Sequence, residues 1–203
     1  MLNKYARGFF GRIFSPPARL LLRWGVSPDT VTIIGTLGVC VGALVFYPLG
    51  QLFWGTLFIT VFVFSDMLDG LMARMMQRSS HWGSFLDSTL DRMADAAVFA
   101  GVAIWFFTGG ANVPIAVAAL LCLVLGSLVS YARAKAESLG CSASVGIAER
   151  SERLVAVLVF TGFTGLGLPE TVLLVVLVLL AAASLVTVIQ RMAAVYRQTR
   201  TAV

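Results

Sequence analysis

The stretch from Asp66 to Asp91 reads DMLDGLMARMMQRSSHWGSFLDSTLD, and it separates two long uncharged stretches, Thr30 to Ser65 and Ala96 to Ala132. Acids at the ends of apolar segments are costly at membrane depth and mark functional positions. Asp66, Asp69, Gly70 and Ala73 are spaced i, i+3, i+4, i+7, which places them on one face of a helix. Gly70 and Ala73 leave that face bare, so a bulky molecule has room to lie against it. Arg74 ends the stretch within reach of a phosphate. On the next helix Gly83, Asp87 and Asp91 repeat every four residues, and the short link Arg78 to Trp82 makes the two helices antiparallel neighbours. Pairing with Arg74, Arg78 and Arg92 among solvated headgroups explains one such acid. It does not explain Asp66, Asp69, Asp87 and Asp91 in two helical registers. A divalent cation bound through oxygen ligands does. Carboxylates bridging two such ions suit phosphoryl transfer, with one acid left to take a proton from a hydroxyl.

Composition agrees with a membrane setting. The chain has 203 residues, 59% hydrophobic and 12% charged, with a mean hydropathy of +0.91. A soluble domain carries roughly 25% charged residues. The N-terminal region has Arg12, Arg19 and Arg23 and the pair Pro16-Pro17, unlike a cleavable signal peptide. Cys40, Cys122 and Cys141 have no motif spacing, which argues against a disulfide framework. The pI near 9.6 points to anionic headgroups and phosphorylated substrates rather than nucleic acid, because of where the basic residues fall.

Each long uncharged stretch contains a turn signal, at Tyr47–Gly50 and at Thr108–Pro114, and Gly165–Pro169 separates two further apolar stretches. With about 20 residues needed per crossing, the pattern predicts an all-α integral membrane protein. Six transmembrane helices are expected near 30–46, 51–77, 83–107, 114–138, 149–166 and 170–195. The three turns carry no Lys or Arg, and all fifteen basic residues fall on the other side. The positive-inside rule then puts both termini and the acids at the cytoplasmic face of the plasma membrane. Ahead of the first span, Leu2, Tyr5, Phe9 and Ile13 share one helical face opposite Lys4 and Arg7, the pattern of an interfacial amphipathic helix closed by Pro16-Pro17. No internal repeat is found. One domain over 1–203 is expected, with 1–25 juxtamembrane and 26–203 a six-helix bundle. Gly35, Gly38 and Gly42 permit close helix contact, within the bundle or at a dimer interface. His81 reads as a loop or interfacial residue. Asp95, one turn beyond Asp91, reads as a residue supporting the acid cluster or as a buried polar residue, paired with Arg92 or another basic residue nearby.

Asp66-x-x-Asp69-Gly70-x-x-Ala73-Arg74, eight residues, then Gly83-x-x-x-Asp87-x-x-x-Asp91 resembles the signature of the CDP-alcohol phosphotransferases, with every motif position present. The resemblance implies a six-helix membrane fold, a homodimer in membrane lipid, and two divalent ions per site, Mg²⁺ or Mn²⁺. It implies transfer of a substituted phosphate from a CDP-linked donor to an alcohol, with release of CMP. Carried over, Asp66, Asp69, Asp87 and Asp91 hold the metals, and Asp91 is also the base. Gly70, Ala73 and Arg74 meet the CDP moiety together with Asp66, Asp69 and Asp87. Ser27-Pro28-Asp29-x-x-Thr32 is similar to the family's nucleotide-side motif, which adds Asp29 and Thr32 to the donor site.

The metal motif does not choose the alcohol. Lys135, Arg153 and Arg191 come from three different helices at similar depth. Converging there, they would bind a phosphorylated acceptor, although from spacing alone they also read as ordinary topology signals. The stretch YARAKAE, the ERSERL segment and the terminal QR resemble the actinobacterial branch of the family that uses inositol phosphate. That resemblance implies that Lys135, Arg153 and Arg191 hold the acceptor phosphate. The expected reaction joins CDP-diacylglycerol and inositol 1-phosphate, giving phosphatidylinositol phosphate and CMP. Glycerol 3-phosphate is the alternative acceptor. A divalent-cation transporter is the alternative class, and it would need acids through the outer half, where Glu170 stands alone.

Overall fold

In hydrocarbon a backbone can satisfy its polar groups only within a helix or a closed barrel, and the apolar stretches of this chain have neither the alternation nor the turn density of strands. The computed structural model describes residues 14–76 and 80–200, except the side chains of Asp66 and Met67, and it is helical throughout, with no strand among the described residues. Residues 14–23 form α1. Then follow α2 (Pro28–Val41) with a π-helical continuation Gly42–Phe46, α3 (Leu52–Val63), α4 (Ser65–Met75), α5 (His81–Thr108), α6 (Val113–Ser138), α7 (Arg150–Gly165) and α8 (Glu170–Arg200).

The helix positions follow the sequence-based spans closely. Four segments are long and apolar enough to cross a membrane: Pro28–Phe46, Leu52–Met75, Val113–Ser138 and Glu170–Arg200. α5 carries Asp87, Asp91, Arg92 and Asp95 in its first half, so its composition is too polar to qualify. α7 has 16 residues, about 24 Å at 1.5 Å per residue, which falls short of a hydrocarbon core of about 30 Å. Large apolar side chains such as Leu37, Trp54, Val61, Val124 and Leu179 are exposed along the long helices, as lipid-facing residues are.

One expectation, that for His81, changes. Pro16 and Pro17 lie inside the helical segment 14–23. That segment ends at Gly25, whose φ of +77° allows Val26 N to reach back to Leu21 O at 3.0 Å. The amphipathic residues Leu2 to Ile13 lie outside the described residues. His81 is not in a loop: it opens α5, and the Ser80 hydroxyl accepts from Gly83 N at 2.8 Å to cap that helix.

The chain divides into two compact units, residues 1–42 with 57–94, and residues 43–56 with 95–203. In the first, α2 packs on α4. Cβ atoms added at Gly35, Gly38 and Gly42 would run into Ser65, Phe62 and Ile59 respectively, so these glycines serve packing within the chain. A core of Ala18, Val31 and Met72 lies beside them. In the second unit α8 packs on α6 and α7. There the three charge-free turns gather at one end, as the positive-inside reading requires. Gly50 and Gly109 both abut Trp105, Gly165 abuts Phe53, and Asn112 Nδ2 donates to Glu170 Oε2 at 2.8 Å.

Candidate active site

The first unit carries the acidic motif. Ser27 caps α2 by accepting from Thr30 N at 3.2 Å, which sets Asp29 in the first turn and Thr32 one turn on. Thr32 Oγ1 lies 2.6 Å from Asp69 Oδ2 and 3.1 Å from Pro28 O. One hydroxyl proton cannot serve both, and the shorter contact to a charged acceptor takes it. Asp69 Oδ1 accepts from Gly70 N at 2.5 Å. Asp69 is 6% exposed. Beside it the helix surface is open: a Cβ at Gly70 would meet nothing nearer than Arg74 Nη2, at 4.0 Å. Exposed Arg74 folds back over that gap, its Nε donating to Gly70 O at 2.9 Å.

The other half of the motif lies on α5. Gly83 sits under Asp29: a Cβ there would stand 3.6 Å from Asp29 Oδ1, which joins the Ser27–Thr32 turn to the second acid pair. Asp87 is exposed and Asp91 half-buried, one turn apart. The Asp66 side chain lies outside the described residues. Among the described residues no three His, Cys, Asp or Glu side chains are gathered into a ready-made metal site. Asp69, Asp87 and Asp91 nevertheless offer carboxylate oxygens alone, the donor chemistry that hard divalent cations take. Asp95, the next turn, accepts from Arg150 Nε at 3.1 Å, so this partner is a residue of α7 and not Arg92.

The second unit carries the basic residues. Arg153 is 2% exposed and Arg191 6%. Arg153 Nη1 donates to Ala148 O at 2.9 Å, and a Cβ at Gly126 would come within 3.3 Å of its Nε. Arg191 donates through Nη1 to Val129 O at 2.6 Å and through Nε to Val145 O at 2.9 Å. Gly126 and Val129 are one turn apart on α6, so the two guanidiniums are brought to the same short stretch of that helix. Lys135 lies farther along α6 and is exposed. Both arginines are buried beside one turn of α6, whereas a snorkelling cation keeps its head in water.

Residues 25–196 match the model of the family described as CDP-alcohol phosphatidyltransferase. The chain belongs to that family. It is therefore a transferase and a multi-pass membrane protein, which removes the cation-transporter reading. Within the family it is similar to phosphatidylinositol phosphate synthase of Streptomyces avermitilis, at 54% identity over 98% of this chain and 84% of that protein. It is also similar to the Cutibacterium acnes protein of the same name, at 47% identity over 97% and 98%. The crystal structure of the Mycobacterium tuberculosis phosphatidylinositol phosphate synthase with CDP-DAG bound superposes with a TM-score of 0.87. It shares 42% identity and the match covers 91% of this chain and 94% of that one. A second structure of the M. tuberculosis protein, in complex with manganese and citrate, matches with a TM-score of 0.86 at 41% identity over 90% and 88%. Divalent-metal use by this family member agrees with the all-oxygen donor set.

The contacts of three side chains, Thr32, Thr187 and Gln198, were not legible in the sequence. The Thr32–Asp69 bond spans 37 residues and has no local signal, although both residues stand out in their own motifs. The bonds made by Thr187 and Gln198 to the loop between α6 and α7 join residues that carry no motif.

Proposed function

We propose that the chain transfers the phosphatidyl group of CDP-diacylglycerol to inositol 1-phosphate, giving phosphatidylinositol phosphate and CMP. The observation that carries the choice of acceptor is the pair of buried arginines, Arg153 and Arg191, at one turn of α6. Two cations that are already desolvated gain most from a dianionic phosphate. Full-length similarity to proteins of that name supports it.

The donor lies along the bare face of α4, with Gly70 and Ala73 beneath it and Arg74 on its phosphates. Asp29 and Thr32 close the nucleotide side. Asp66, Asp69, Asp87 and Asp91 hold two divalent ions, Mg²⁺ or Mn²⁺, which when bound neutralise the diphosphate and the departing CMP. Thr32 and Gly70 N fix the Asp69 carboxylate in rotation. Asp91 takes the proton of the attacking inositol hydroxyl as its oxygen bonds to the lipid-bearing phosphorus. The bond from that phosphorus to the CMP oxygen breaks, and CMP leaves with the electron pair. Arg153, Arg191 and, at the rim, Lys135 hold the acceptor's phosphate. Six segments cross the plasma membrane, α2, α3 with α4, α5, α6, the short α7 with its flanking turns, and α8; residues 1–25 lie along its surface, and both termini and the chemistry are cytoplasmic. The whole chain, as a homodimer, forms one catalytic domain.

The test is CMP release with inositol 1-phosphate, free inositol and glycerol 3-phosphate, for the wild type and for Arg153→Ala and Arg191→Ala. Each lost charge-assisted contact is worth roughly 1.5–3 kcal/mol, so KM for inositol 1-phosphate should rise about tenfold or more, with the donor KM little changed. Equal use of free inositol, or variants with wild-type acceptor KM, would refute the acceptor assignment. Preference for glycerol 3-phosphate would establish the alternative.

A further inference from the structure

Arg153 and Arg191 belong to different helices, yet both are tied to one four-residue segment. Arg191 Nε donates to Val145 O at 2.9 Å, and Arg153 Nη1 donates to Ala148 O at 2.9 Å. The segment is in turn held by a single buried hydroxyl. Thr187 is fully buried, and its Oγ1 accepts from Ile147 N and from Ala148 N, at 3.2 Å each. The same oxygen donates its proton to Ala183 O at 2.8 Å. One donor and two acceptor positions exhaust what a threonine hydroxyl can offer. Gly146 lies flat against the Thr187 methyl, where a Cβ would collide, and its φ of +152° is a backbone state that glycine adopts without strain.

The arrangement continues along α8. Thr187, Arg191 and Gln198 fall at i, i+4 and i+11, on one stripe of the helix. Gln198 pairs with the start of the loop through both ends of its amide, accepting from Ser142 N at 2.9 Å and donating to Ser142 O at 2.6 Å. The loop from Ser142 to Ala148 is thus clasped at two points by the helix that supplies Arg191. Arg153 is anchored through Nη1 to Ala148 O, and Arg191, with Nε on Val145 O and Nη1 on Val129 O of α6, has its guanidinium plane fixed. The direction of its remaining N–H groups follows, and bidentate grip on an anion depends on that direction.

We infer that Thr187 is a positioning residue for the acceptor: it pins Val145–Ala148, whose carbonyls aim Arg153 and Arg191 at the acceptor's phosphate. The inference rests on the acceptor role proposed for those arginines. Thr187 touches no substrate. It acts through the backbone, so its loss should misdirect both cations without removing either.

The experiment uses the full chain in lipid with Mg²⁺ and compares Thr187→Val, which keeps the shape and loses the hydroxyl, with Thr187→Ser, which keeps the hydroxyl. Thr187→Val should raise KM for inositol 1-phosphate roughly five- to twentyfold, the effect of one or two lost hydrogen bonds. KM for CDP-diacylglycerol should stay within about twofold, and Thr187→Ser should restore the acceptor KM to a similar margin. Hydrogen exchange at the Ile147 and Ala148 amides should quicken in Thr187→Val and not in Thr187→Ser. Gln198→Ala, a change at an exposed side chain, should give a smaller rise in acceptor KM alone, and it decides the matter if Thr187→Val does not fold. If Arg153→Ala and Arg191→Ala raise acceptor KM while Thr187→Val and Gln198→Ala leave it unchanged, or raise both KM values together, the positioning role is wrong and the acceptor pocket stands. If the arginine variants themselves leave acceptor KM unchanged, the pocket is wrong and the positioning role falls with it.

Discussion

Thr32→Val tests whether the nucleotide-side turn also governs the metal site. Valine fills the space of threonine in a position that is 6% exposed, so packing is kept and the hydroxyl alone is lost. What disappears is the 2.6 Å bond to Asp69 Oδ2. A hydrogen bond to a charged group contributes roughly 1.5–3 kcal/mol. At 1.36 kcal/mol per decade, that is about a 10- to 150-fold effect. Removing a partner that orients a metal ligand typically costs 10–100-fold in affinity or activity, the same range from an independent direction. Asp69 keeps Gly70 N as a partner and keeps its charge, so the loss should fall on orientation. The metal concentration for half-maximal CMP release should rise by about one to two decades, with much of the rate recovered at saturating Mg²⁺. Thr32→Ser should behave like the wild type. The assay is the initial rate of CMP release over a Mg²⁺ titration for all three proteins. A Thr32→Val enzyme with wild-type metal response and wild-type rate would show that this bond does not organise the site.

Asp91→Asn keeps the shape of the proposed base and should lower turnover by more than tenfold, while the protein still inserts and keeps its melting temperature. Activity should also vanish in chelator and return with Mg²⁺ or Mn²⁺, measured as CMP release. Gly70→Ala places a methyl where the fold leaves open space, so stability should be unchanged while KM for CDP-diacylglycerol rises; a normal donor KM would mean that the donor does not lie on that face. Arg74→Ala should raise the same constant through loss of a phosphate contact, by roughly tenfold.

Much of this protein is legible in its sequence because lipid removes alternatives. Uncharged stretches such as Thr30–Ser65 had to be helical, and Tyr47–Gly50 had to turn, since nothing else satisfies the backbone there. The acid motif was legible because Asp66, Asp69, Asp87 and Asp91 keep helical spacing, and Arg153 and Arg191 stood out as cations near apolar helix ends. What escaped depends on contact between distant residues. The Thr32–Asp69 bond and the Thr187 clasp on Ile147 and Ala148 involve hydroxyls that carry no periodic signal. Pro16 and Pro17 sit within the helical segment 14–23 because proline stops a helix only where its missing N–H is needed or its ring collides with the preceding turn. His81 was placed one step too early, because Ser80 rather than a later residue caps α5.

The glycine ridge of α2 bears on the order of assembly. Gly35, Gly38 and Gly42 expose a groove that lipid tails fill poorly, and Ser65, Phe62 and Ile59 fill it well. The chain leaves the ribosome from its N-terminus, so α2, α3 and α4 emerge ahead of the acids of α5. Closing that hairpin also brings the Thr32 hydroxyl to Asp69. The most deeply buried of the described motif acids thus has its hydrogen-bond donor on an element that emerges before it, and half of the proposed catalytic apparatus can be set before the other half leaves the ribosome.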